Sequence, residues 1–257
     1  MKTMMWSSLE PKEADNLMKK FSFTTNVGQD RRFSIKAVDL LDEEKCIAYL
    51  DSLTRSLQSP SRMITASQFS KRYAFLTIAP SLYAMTIYNK GLDLSSENCK
   101  IESSFHNGSW KSNLHLTDLQ VSQPKEGERQ EWRDGVIKNI FHGNLAKIWR
   151  SISKVSNVPM PILWENTAVR VYSLYEKKVG NGDSEKEKFR IQEDFKYLIS
   201  EAPATLFGET KNPLARFYGP KSTISSSDQP VRTRKTCCFY YKVPNGNYCS
   251  TCPKVKQ

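Results

Sequence analysis

Apolar residues recur at helical spacing in six stretches of the chain. Ala14, Leu17 and Phe21 mark the first. Cys46, Leu50, Leu53 and Leu57 mark the second, behind an acidic first turn at Asp42 to Glu44 that suits a helix N-terminus. After the Ser59-Pro60 break, Ala66 to Asn89 reads as a third helix, kinked or interrupted at Pro80 because proline lacks the backbone donor a helix interior needs. Trp132, Val136, Ile140, Leu145, Ile148 and Trp149 define a fourth between Glu131 and Arg150. Pro161 opens a fifth, with Trp164, Ala168, Val171 and Tyr175 on one side. Ser184 and Glu187 form a capping box for a sixth, whose inner face is read as Phe189, Phe195, Leu198 and Ile199.

Three regions depart from this period. Between 98 and 121, Cys99, Ile101, Ser103 and Phe105 alternate, and so do Leu114 and Leu116 beyond Asn107-Gly108, which predicts a β-hairpin. Phe23 to Val38 is polar and suits a loop with a short strand. From Ser222 to Pro230 the composition turns to serine and small polar residues with little to bury, as in a linker or extended arm. No repeat of 20 to 50 residues is present, which excludes a solenoid. The expected class is α+β, a predominantly helical body with a small antiparallel hairpin and a C-terminal cluster-binding tail.

Composition narrows the setting. The 257 residues can bury a full core, and no segment approaches the ~18 consecutive apolar residues of a membrane span. Met4, Met5 and Trp6 are too short an apolar run for a secretory leader, so the expected location is the cytoplasm. A net charge of +11 favours anionic partners and leaves peripheral attachment to the inner face of the cell membrane open. Six cysteines in a reducing compartment read as metal ligands, catalytic groups or inert core residues rather than disulfides. Cys46 and Cys99 stand alone in apolar patterns, as small buried hydrophobes do.

The other four crowd into sixteen residues, as Cys237-Cys238, ten residues, then Cys249 and Cys252. Pro244-Asn245-Gly246 is a turn signal between Phe239-Tyr240-Tyr241 and Tyr248, so the chain can reverse and bring the doublet and the CxxC together at the open end of a small hairpin. Four thiolates suit an iron-sulfur cluster or a structural zinc ion. Only Cys249 and Cys252 form a zinc-type knuckle, and adjacent cysteines direct their side chains differently, which a wider two-iron cluster accepts more easily than one ion. No GxSxG, HExxH, P-loop or GxGxxG is present, and His106, His115 and His142 do not stand at ligand spacing.

The doublet, the ten-residue spacing, the CxxC and the flanking basic and proline residues resemble the FhuF-like family of ferric-siderophore reductases. Pro161 to Ala168 (PILWENTA) also looks like a segment that family carries before a helix. The resemblance implies one 2Fe-2S cluster on Cys237, Cys238, Cys249 and Cys252, and one-electron transfer from it to a ferric siderophore. On this reading the chain divides into an N-terminal helical segment over 1–60, a siderophore-binding body over 61–220 and a cluster-binding segment over 221–257.

Arg232, Arg234, Lys235, Lys242, Lys254 and Lys256 surround the cysteines, with Arg234 and Lys235 as the expected substrate contacts. Trp164 and Arg170 are candidates to line a cavity from the body. The expected substrate is an anionic ferric siderophore of citrate or hydroxamate type. The missing flavin and nicotinamide fingerprints call for an external donor such as a ferredoxin or a flavoprotein reductase. The competing readings are an iron-sulfur redox sensor and a zinc-stabilised module binding nucleic acid or protein. Nucleic acid is not the expected partner, since the basic residues form no stripe and no helix-turn-helix is evident.

Overall fold

The computed structural model describes residues 4–24, 33–106, 109–180, 182–224 and 227–255. Strand β1 (Met4–Ser8) leads into helix α1 (Pro11–Phe21) and the short strands β2 (Phe23–Thr24) and β3 (Ile35–Lys36). Helices α2 (Glu43–Ser56) and α3 (Arg62–Tyr83) follow, then β4 (Gly91–Leu92), β5 (Cys99–His106), β6 (Ser109–Leu116) and β7 (Gln120–Pro124). The rest is α4 (Arg129–Lys138), α5 (Ala146–Ser156), α6 (Met160–Ser173), α7 (Glu185–Lys196), α8 (Pro213–Phe217), β8 (Ser222–Ile224) and β9 (Ser227–Val231).

The expected hairpin is present as β5 and β6, with Cys99 opposite Leu116 and Ile101 opposite Leu114. Its turn at Asn107-Gly108 lies outside the described residues. The hairpin is the centre of a four-stranded sheet in the order β2-β6-β5-β3, where β2 runs parallel to β6, and a separate sheet pairs β1 and β4 with β7. The loop expected between Phe23 and Val38 contributes β2 and β3; residues 25–32 lie outside the description. The arm expected from Ser222 to Pro230 forms the antiparallel pair β8/β9, with residues 225–226 undescribed.

Helix α3 is the spine of the molecule. It is capped by Ser61, whose hydroxyl accepts from the Ile64 amide, and runs unbroken through Pro80 before giving way to a π-helical segment at Ala84–Tyr88. The helix is buried on nearly every side over its second half, so packing outweighs the carbonyl partner that proline removes. Phe69 and Tyr73 on it, and Trp132, Phe141 and Trp149 in the same core, are all at most 1% exposed. Burying each contributes roughly 1.5–3 kcal/mol.

Helix α7 is capped as expected, the Ser184 hydroxyl accepting from the Glu187 amide, and Phe195, Leu198 and Ile199 pack on the core as expected, but Phe189 does not. Phe189 is 67% exposed, whereas Asp194 is fully buried. Arg129 donates two hydrogen bonds to the Asp194 carboxylate at 2.9 and 2.8 Å, and Arg133 adds one at 3.0 Å. Two guanidiniums from α4 thus turn Asp194 inward, which leaves Phe189, more than a third of a turn away on the helix, facing solvent.

Candidate functional site

Helices α3 and α6 lie side by side and together carry the cysteine tail. Their contact is polar where it matters. Asn166 on α6 donates to the Ser67 carbonyl at 3.1 Å and to the Ser70 hydroxyl at 2.8 Å, and Arg170 donates Nε to the Lys71 carbonyl at 3.2 Å. The tail enters past Arg232, which donates to the Gly219 carbonyl at 2.7 Å and to the Glu176 carboxylate at 2.9 Å. Its guanidinium lies 4.2 Å from the centre of the Tyr218 ring.

Beyond it, Arg234 to Thr236 are captured by one carboxylate. Glu165, 2% exposed on α6, accepts the backbone amides of Lys235 at 2.6 Å and Thr236 at 2.7 Å, the Thr236 hydroxyl, and Arg234 Nε at 3.4 Å. Arg234 also donates to Asn166 Oδ1 at 2.7 Å, and its own amide donates to the Thr251 carbonyl at 2.9 Å. That last bond joins the stretch before the doublet to the CxxC. A buried carboxylate with four donors is stable where an unpaired one would cost several kcal/mol.

The doublet then reaches α3. The Cys238 carbonyl accepts from the Ser67 hydroxyl at 2.8 Å and from Gln68 Nε2 at 2.6 Å. Lys71 Nζ stands 3.7 Å from Cys238 Sγ and 4.5 Å from the centre of the Tyr240 ring. Phe239 takes the left-handed conformation at φ 60°, which turns the chain directly after the doublet. Tyr240–Lys242 continue as a short 3-10 turn rather than the expected strand. The turn at Pro244-Asn245-Gly246 forms as expected, with the Gly246 amide donating to the Val243 carbonyl at 2.9 Å. A Cβ at Gly246 would lie 2.0 Å from the Tyr240 carbonyl oxygen, so only glycine fits. Tyr241 and Tyr248 stack across the turn with ring centres 4.6 Å apart.

The reversal sets the sulfurs in two nested pairs, the inner one Cys238 with Cys249 and the outer one Cys237 with Cys252. Cys238 and Cys252 are buried, while Cys237 and Cys249 are half-buried. The Cys249 thiol and the Lys71 and Arg234 cations hold the Cys238 thiol down at about 5, against its burial. Its neighbour Cys249 is pushed up accordingly, and burial raises Cys237. Among the described residues no three His, Cys, Asp or Glu side chains are drawn together as around a single ion. Two pairs of thiolates are what a 2Fe-2S centre takes, two per iron, and Lys71, Arg170 and Arg234 lie near enough to offset its negative charge. The donor set therefore fits that group.

Of the expected substrate contacts, Arg234 is 6% exposed and committed to Glu165 and Asn166. Lys235 donates Nζ to the Arg216 carbonyl at 2.6 Å and lines an open hollow of about 560 Å³ with Phe217, Pro220 and Pro253. Trp164 is buried and donates its indole N–H to Glu209 at 3.2 Å, away from the tail contacts described above, whereas Arg170 stands among them. Lys256 lies outside the described residues. Cys46 and Cys99 are core residues as expected, burial pushing Cys46 up to about 11 and Cys99 further.

Sequence reasoning missed Ser67, Gln68, Lys71, Glu165 and Asn166. A signal existed for two: Glu165 and Asn166 lie in the segment Pro161 to Ala168 that resembles the family's, and a carboxylate next to Ile162, Leu163 and Trp164 requires a buried partner.

The family described as ferric iron reductase FhuF-like transporter matches residues 67–223, more than half of the chain, and the FhuF 2Fe-2S C-terminal domain matches residues 234–254. No curated protein matches the chain. The second match spans all four clustered cysteines and removes the zinc alternative, and the first spans the two helices that hold them. With tail and body both matched, the chain belongs to the FhuF-like ferric iron reductase family and carries its 2Fe-2S domain.

Proposed function

We propose that this chain is a ferric-siderophore reductase of the cytoplasm, acting at or near the inner face of the cell membrane, and that Cys237, Cys238, Cys249 and Cys252 hold its cluster. The observation that carries the reading is the pairing of four sulfurs beside three cations supplied by, or anchored to, the body. When bound, a 2Fe-2S cluster supplies one electron at a time, which is the stoichiometry of reducing Fe(III) to Fe(II).

The chain's own residues perform the rest. Glu165 fixes the backbone before the doublet, and Ser67 and Gln68 fix the doublet's carbonyl, so the thiolates are positioned rather than free. Lys71, Arg170 and Arg234 favour a more negative state of the centre. The hollow lined by Phe217, Pro220, Lys235 and Pro253 adjoins Cys252 and is large enough for a chelate. Lys235 meets an anionic siderophore of citrate or hydroxamate type there, and Arg234 serves the tail instead. Hard oxygen donors hold Fe(II) less tightly than Fe(III), so reduction releases the metal and no general base is needed. Electrons come from a separate ferredoxin or flavoprotein.

The test is an anaerobic visible spectrum of purified protein, followed by dithionite, then ferric citrate or a ferric hydroxamate with a ferrous-specific chelator present. A red-brown protein that bleaches and then recovers its colour as ferrous chelate appears is the expected result. A colourless protein with one zinc per chain would overturn the reading, and a coloured protein that ferric chelates never reoxidise would make it a sensor.

A further inference from the structure

Next to Lys71, helix α3 and the turn after α6 present two cations that the cysteine site does not use, Arg72 and Lys178, on either side of Arg170 of α6, which it does. The Arg72 guanidinium and Lys178 Nζ lie 5.4 and 4.9 Å from the centre of the Phe75 ring. Phe75, Arg170, Ser173 and Lys178 line a notch of about 40 Å³ together with Ala79 and Leu174. Arg72 is held by Ser112, donating Nε to its hydroxyl at 2.8 Å and a second bond to its carbonyl, and Arg170 by the Lys71 carbonyl. Among the described residues, none of the three has a carboxylate partner. Elsewhere Arg62, Arg129, Arg133 and Arg232 all do.

Burial disfavours the charge on Arg72 and Arg170, and each guanidinium faces another cation, Arg170 beside Arg72 and Arg234 beside Arg170. An incoming anion relieves that cost. The notch is scarcely larger than the ~30 Å³ share of one water, so it admits a carboxylate tip but no chelate. The anion must therefore project from a larger body.

We infer that this face docks an acidic one-electron carrier protein, one of whose Asp or Glu carboxylates enters the notch between Arg170 and Lys178. This rests on the reductase reading and adds where reduction of the protein takes place. Arg170 is bonded to Lys71, and Lys71 touches Cys238, so two residues separate a carrier seated here from the inner sulfur pair. The hollow assigned to the chelate lies instead beside Pro253, after Cys252 of the outer pair. In the docked complex one electron passes, the carrier is oxidised by one, the holoprotein is reduced by one, and no bond or proton changes place.

The experiment compares holoprotein with Lys178→Glu and Lys147→Glu, two exposed lysines carrying the same charge change. A plant-type 2Fe-2S ferredoxin, reduced beforehand, is the probe, and dithionite is the small-molecule control. In stopped flow, Lys178→Glu should slow reduction by ferredoxin about tenfold or more and flatten its dependence on ionic strength, with Lys178→Gln intermediate. Lys147→Glu should stay near wild type, and reduction by dithionite should change less than about threefold in every variant. Equal slowing by both glutamates, or no slowing by Lys178→Glu, would overturn the proposal. So would an unchanged ferredoxin rate with a raised KM for ferric citrate, which would make the notch a substrate site. The ferredoxin comparison reads out whether or not ferric siderophores are reduced, so failure of the reductase reading is seen separately.

Discussion

The helical body and the cysteine tail are held by different forces. The body closes on a continuous apolar core in which Leu17, Leu50, Leu76, Trp132 and Trp149 are fully buried. The tail after Val231 adds little to that core: Cys238, Cys252 and Arg234 are buried, and Phe239 is partly buried against it. Hydrogen bonds to Glu165, Ser67 and Gln68 and contact with Lys71 hold it instead. Apolar burial is additive and forgiving, so the body tolerates losing one contact. The tail depends on a few directional bonds and on its thiolates, and one substitution can undo it.

The sharpest way to break that comparison is Cys252→Ser. Iron content and visible absorption should vanish, while the far-UV melt of the body stays close to wild type; a body that unfolds with the lost ligand would show the two regions to be one. Next come two substitutions of similar cost but opposite reach. Glu165→Gln leaves Arg234 without its carboxylate, about 3–5 kcal/mol for a broken buried pair. It should lower bound iron and expose 232–255 to protease before the body unfolds. Leu50→Ala, about 2–5 kcal/mol by cavity formation, should lower the melting temperature and leave iron per folded molecule unchanged. The smallest expected effect is electrical. Lys71→Met removes a positive charge 3.7 Å from Cys238 Sγ and so should lower the midpoint potential by tens of millivolts, ~59 mV being one factor of ten for a one-electron couple. Lys71→Arg should restore most of it in an EPR-monitored titration, and an unshifted potential would mean Lys71 only packs on Tyr240.

Legibility in the sequence follows the same division. Local features were readable because their causes are local. The acidic turn at Asp42 to Glu44 starts α2, with the Asp42 carboxylate accepting the Lys45 amide at 3.0 Å, and Pro244-Asn245-Gly246 makes its turn. The four-cysteine motif was readable because its chemistry lies in its spacing. Distant causes were not. Pro80 sits inside an unbroken helix because the surrounding core holds it there, and Phe189 faces water because two arginines on another helix claim Asp194. Strand β1 was missed because Met4 to Ser8 shows no alternation and its partner β7 lies more than a hundred positions away. Ser67 and Cys238 are 171 positions apart, so nothing near either residue announces their hydrogen bond.

The cations around Cys238 also bear on protein engineering. Residues 234–254 look like a cassette, compact and holding all four clustered cysteines. Grafted onto another scaffold, however, they would carry the thiolates and leave behind Lys71, Arg170 and the Glu165 carboxylate that orders Arg234. A transplant that is to keep its electrochemistry must bring the facing stretches of α3 and α6 with it, so the smallest transferable unit is three segments that meet only in the fold.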